Sequence, residues 1–133
     1  MADTNAAVVA RRYIETLGAG QFDDCIGLFH EKAVIKFPES VVPQRTLSKA
    51  QFGGMLRNMP NIFRSTPTYT LIDQVSQGDR SCIEFSGVGQ MNSGAPFKNE
   101  YCIVFLVRDG RIVEMREYLD TGALKLAPAA KSA

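Results

Sequence analysis

Apolar residues in the first part of the chain recur mostly at helical spacing; from Thr68 to Leu119 they alternate. Ala6, Val9, Ala10, Tyr13, Ile14 and Leu17 fall on one face of a first helix. Asp3 or Thr4 can cap its start, and Gly18 and Gly20 end it. A short second helix carries Phe22, Ile26 and Phe29 on its apolar side. Ala33 to Phe37 reads as a strand stopped by Pro38, and Glu39 to Thr46 as a loop. Ser48-Lys49-Ala50-Gln51 is a capping box opening a third helix, whose stripe is Phe52, Met55, Leu56 and Met59.

Strands are predicted at Thr68 to Val75, Ser81 to Met91, Phe97 to Arg108 and Arg111 to Leu119. Turns at Gln77-Gly78-Asp79, Asn92-Ser93-Gly94 and Asp109-Gly110 separate them. Helices early and hairpin strands late predict an α+β domain, with helices against one face of a curved, mainly antiparallel sheet. Such a sheet encloses a pocket between its concavity and the helices. One domain is expected over residues 1–126, followed by a flexible tail at 127–133.

Composition narrows the function. The 133 residues are 45% hydrophobic and 22% charged, ordinary for a soluble globular domain. A net charge of +1, with its basic residues scattered, argues against a nucleic-acid partner. No apolar run reaches the length of a membrane span, and the N-terminus lacks the pattern of a signal peptide. Cys25, Cys82 and Cys102 are far apart in sequence and read as reduced, buried thiols of a cytoplasmic protein. His30, the only histidine, reads as a helix-end residue with no second ligand at metal spacing, so no metal is expected.

Candidate chemistry gathers on the strands. Alternation places Val113, Met115 and Leu119 on one face of the last strand and Ile112, Glu114, Arg116, Tyr118 and Asp120 on the other. Asp120 then faces solvent or a second copy, unless a bulge or a pocket lined by that second face brings it inside. Glu84 is a surface glutamate or, by its parity with Ser86 and Val88, a pocket carboxylate beside Asp120. Tyr13 lies on the apolar stripe of helix one, as a buried phenol or as a donor to a substrate oxygen. Asn99 and Tyr101 share a strand face with Ile103, Phe105 and Val107, where they either orient a ligand or bond across strands.

The stretches Tyr13-Ile14-Glu15, Phe29, Ala33-Val34, Asp109-Gly110-Arg111-Ile112 and Arg116-Glu117-Tyr118-Leu119-Asp120 together resemble the SnoaL-like branch of the nuclear transport factor 2-like, ketosteroid-isomerase-like superfamily. The resemblance implies a cone-shaped α+β fold, with three N-terminal helices packed in the sheet. It also implies a small enzyme without cofactor, doing acid/base chemistry on an apolar cyclic or polyketide-like molecule. The reaction would be cyclisation, isomerisation, dehydration or hydrolysis. Asp120 stands where SnoaL-like cyclases carry their acid/base, and Glu84 where epoxide-hydrolase relatives carry a second acid; Cys82 replaces the arginine of those hydrolases. Tyr13 matches a tyrosine of ketosteroid isomerase, whereas Phe37 occupies the place of its base and Ile103 that of its second acid.

The resulting expectation is a catalytic set of Asp120, Tyr13 and Glu84, with Phe37, Met55, Met59, Asn99 and Tyr101 holding substrate. Desolvation in the pocket would raise the pKa of Asp120. The competing expectation is a non-catalytic binding or assembly module on the same fold. Homodimerisation is expected, because Ile83/Phe85 and Cys102/Val104/Leu106 give their strands a second apolar face.

Overall fold

The computed structural model describes residues 4–126, with side chains through Ala123. Helix α1 (Asn5–Gly18) starts at Thr4, whose Oγ1 accepts from the Ala7 N–H at 3.1 Å. The predicted stripe of α1 is buried throughout. Helix α2 (Phe22–Ile26) ends one turn earlier than its apolar spacing predicts. Phe29 opens strand β1 (Phe29–Lys36) instead, where it pairs with Ile112 on the last strand. The Leu28 carbonyl accepts from the Ile112 N–H at 2.9 Å, so a pairing over eighty residues away in sequence overrides the local helical signal.

Strand β2 (Thr46–Ser48) closes the predicted loop by pairing antiparallel with β1. It runs straight into helix α3 (Lys49–Arg57), whose capping box forms as the sequence predicts. A single 3-10 turn, Met59–Asn61, follows. The long strands are β3 (Thr68–Gln77), β4 (Arg80–Gln90), β5 (Pro96–Arg108) and β6 (Arg111–Leu119). A short helix, α4 (Thr121–Leu126), lies beyond the predicted elements. The expected tail at 127–133 lies outside the described residues.

One six-stranded sheet results, in the order β2-β1-β6-β5-β4-β3, antiparallel except where β1 meets β6. Asp109 and Gly110 both take positive φ, 51° and 77°, as a tight hairpin between right-twisted strands requires. The α+β cone with helices in its concavity is therefore the observed architecture. Inward rows run Ile83–Phe85 on β4 and Ile103–Phe105–Val107 on β5, all buried against α1. Ile83 and Phe85 thus belong to the core rather than to a second apolar face. Cys102, Val104 and Leu106 do lie on the convex side, half-buried.

The cysteines divide accordingly. Cys25 is buried, while Cys82 and Cys102 are half-buried, with their Sγ atoms 3.4 Å apart across β4 and β5. Burial pushes the Cys25 thiol up to about 12 and the Cys102 thiol up to about 11, the latter aided by Cys82. Both resist ionisation at neutral pH and are poor nucleophiles there.

The decisive irregularity is on β6. Leu106 pairs with Glu114 but Val107 pairs with Ile112, so Val113 is an extra residue bulged out of register. Ile112 and Met115 therefore both point inward and are fully buried. Beyond the bulge, Met115, Glu117 and Leu119 share the concave side. Glu114, Arg116, Tyr118 and Asp120 share the convex side.

Candidate active site: a carboxyl and three phenols in the cone

A cavity of about 520 Å³ opens between the sheet and α3. Its helical side is Tyr13 and Leu17 from α1, and Phe52, Met55, Leu56 and Met59 from α3 and the turn after it. Its sheet side is Phe37, Tyr69, Phe85, Phe97, Asn99, Tyr101, Glu117 and Leu119. Ile62, Phe63, Met91, Asn92 and Ser93 contribute from the loops. The lining is overwhelmingly apolar, with few polar groups, as small-molecule sites tend to be.

Glu117 is the one carboxyl among the described lining residues. It is brought there by the bulge at Val113 and by its parity with Met115 and Leu119. The residue is half-buried and lines the cavity. Burial pushes its carboxyl up from 4.5 to about 8. It is therefore mostly protonated at pH 7, with an ionised minority.

Tyr13, Tyr69 and Tyr101 line the same cavity. Each is raised above its ordinary pKa, first by burial and further by the Glu117 charge. They remain neutral donors across the whole working range. Their rings are held by neighbours: Tyr101 stacks on Phe85 at 4.7 Å, Tyr69 meets Tyr101 edge-on at 6.1 Å, and Tyr13 leans on Phe105 at 5.2 Å.

Gly87 makes room for two of these rings. A Cβ there would sit 2.9 Å from Tyr69 Cε1 and 3.2 Å from Tyr101 Cε2. Gly87→Ala should displace both phenols, costing about 1–3 kcal/mol by overpacking. Thermal melting checks this: an unchanged midpoint would show that the rings yield freely.

Of the residues expected from sequence, the structure brings Tyr13, Phe37, Met55, Met59, Asn99 and Tyr101 around this one cavity. It leaves Asp120 and Glu84 outside, on the convex side, where both are exposed. They border a shallow depression there with Asp73 and Glu100. Asp120 ends its strand structurally: its Oδ1 accepts from the Gly122 N–H at 2.9 Å. The desolvated carboxyl of the last strand is Glu117, and the expected placement of Asp120 in the pocket is corrected accordingly. The signal for Glu117 was present, as a glutamate in step with Met115 and Leu119. Tyr69 was also missed; it alternates inward on β3 opposite Gly87. Among the described residues no cluster of three or more His, Cys, Asp or Glu is arranged to hold a metal ion.

No curated protein sequence matches the chain. Solved structures of the same shape are numerous. One is a candidate isomerase from Bacillus subtilis, 23% identical, with a TM-score of 0.83 over 96% of this chain and 94% of that one. A second is IdmH, a candidate polyketide cyclase from Streptomyces antibioticus, 22% identical, with a TM-score of 0.80 over 92% and 96%. A nuclear transport factor 2-like protein of unknown function from Burkholderia pseudomallei is 13% identical, with a TM-score of 0.83 over 96% and 99%. At such identities these likenesses establish the cone fold. The SnoaL-like domain model matches residues 10–115, most of the chain, and the protein belongs to that family.

Proposed function

We propose that this SnoaL-like domain is a small acid/base enzyme, without cofactor, for an apolar cyclic or polyketide-like molecule. One observation carries the reading: the one carboxyl among the described lining residues, raised to about 8, faces an apolar cavity that three neutral phenols also line. A group titrating near working pH serves both as proton donor and, in its ionised fraction, as acceptor. Glu117 takes or gives the proton. Tyr13, Tyr69 or Tyr101 donates a hydrogen bond to the oxygen on which charge develops. The phenols stay protonated because burial and the nearby carboxylate both oppose their ionisation. Apolar walls from Phe37, Met55 and Met59 hold the ring system and exclude water.

Cyclisation, isomerisation, dehydration and hydrolysis all fit one tuned acid with fixed donors. The experiment is a thermal-shift screen of hydrophobic ring compounds, followed by turnover assays on the hits. Wild type should be stabilised by selected compounds through binding linkage. Glu117→Gln should retain binding and lose turnover, while Asp120→Asn should keep both. Binding in wild type without any turnover would instead identify a non-catalytic binding module. Turnover surviving Glu117→Gln would overturn the mechanism.

The chain is further proposed to pair with a second copy through the convex face. Val75, Val88 and Tyr118 are half or more exposed there, beside Cys102, Val104 and Leu106. The basic groups of β1 and β6 on this face are already paired within the chain: Arg116 donates to Glu114 Oε2 at 2.7 Å, and Lys36 Nζ lies 3.7 Å from the same oxygen. Sedimentation should give twice the 14.6 kDa of one chain; a single-chain mass at micromolar concentration rejects it.

A further inference from the structure

Asn99 is 2% exposed and lines the cavity from β5. Its Oδ1 accepts from the Glu100 N–H at 2.8 Å and from the Asp120 N–H at 3.1 Å, the latter shared with the Glu100 carbonyl. These two backbone donors fix the amide's orientation, since a flipped side chain would set its NH2 against both. Nδ2 is thereby turned away from the strand end, and it has no hydrogen-bond partner among the described residues. Leaving such a donor unmade is costly, and the acceptor role of Oδ1 toward the two backbone N–H groups does not need it. Across the sheet Asn99 faces Gly87, which has no side chain to offer.

Asn99 is not placed to share a reacting atom with Glu117. Glu117 pairs with Ile103, four residues further along β5, which is roughly 14 Å at strand rise. The two polar groups therefore stand toward opposite ends of the ligand space. We propose that Asn99 is a specificity-determining donor: the ligand is elongated and carries an acceptor oxygen, carbonyl or ether, remote from the end that meets Glu117. This rests on the cavity being the ligand site. It adds to that reading a polar handle at the far end and selects against pure hydrocarbons of the same shape.

A matched pair of probes isolates the donor, 4-phenylcyclohexanone against phenylcyclohexane. Their affinities are measured for wild type, Asn99→Asp and Asp120→Asn above neutral pH. Asn99→Asp keeps an oxygen for the two backbone N–H groups but replaces the free donor by an acceptor. The ketone-to-hydrocarbon affinity ratio should fall about tenfold in Asn99→Asp, the worth of one neutral hydrogen bond, and stay unchanged in Asp120→Asn. In wild type, titration with the ketone should shift the Asn99 side-chain NH2 resonances downfield, and the hydrocarbon should not. That second readout needs no folded variant. Both probes binding wild type with a ratio indifferent to Asn99, and no NH2 shift, overturns the donor role while leaving the cavity reading intact. Neither probe binding overturns both.

Discussion

Glu117→Gln should make the protein more stable than wild type at pH 9 and nearly indifferent in stability at pH 4. In the unfolded chain the carboxyl ionises near 4.5; in the folded protein burial holds the proton to about pH 8. Below 4.5 both states are protonated and the full stability is present. Between 4.5 and 8 the unfolded state has released a proton that the native state still binds, so stability falls as pH rises. Above 8 the native state carries a buried charge and the loss is complete. At about 1.4 kcal/mol per pKa unit the swing is a few kcal/mol, a large share of the 5–15 kcal/mol typical of a domain. Glutamine has nearly the same shape and does not titrate. Urea melts of both proteins across pH 4 to 9, compared by difference, cancel every other ionisation. Parallel curves would show that Glu117 is not desolvated, and the acid/base role would go with it.

Two neighbours on β5 should behave in opposite ways. Phe105 is fully buried against Tyr13 and pairs across the sheet with Met115. Phe105→Ala should cost about 3–5 kcal/mol, the lost transfer energy plus the hole left behind. The loss also frees Tyr13 to leave the cavity. Val104 points to the convex face, is half-buried, and pairs with Arg116. Val104→Ala should cost under about 1 kcal/mol in an isolated chain. Its cost should grow with protein concentration if a second copy covers that face, since the fold is then linked to association. Denaturant midpoints at two protein concentrations measure both effects. Similar losses for the two variants would contradict the assignment of faces.

Much of this architecture was legible in the residues. The α1 stripe, the capping box at Ser48, the Asp109-Gly110 hairpin and the inward row Ile103, Phe105, Val107 follow from local rules. Backbone sterics, capping donors and the two-residue strand period act over a few neighbours, so sequence alone states them. The family markers at Tyr13 and along the last strand carried the fold and the apolar cavity walls.

What the residues left open was decided by long-range pairing. Strand alternation says which side chains share a face but not which face is inside. On β6 the answer hangs on one extra residue, Val113, seen only in the step from the Leu106–Glu114 pair to the Val107–Ile112 pair. That step lets Ile112 and Met115 both fill the core, carries Glu117 into the cone, and leaves Asp120 at the exposed strand end. The same holds for Phe29, drawn into β1 by Ile112, and for Cys82 and Cys102, brought together by strand pairing. Tyr13 and Glu117 are over a hundred residues apart in the chain. Only the closed cone places them around one cavity, and only its desolvation gives a plain glutamate a pKa suited to proton transfer.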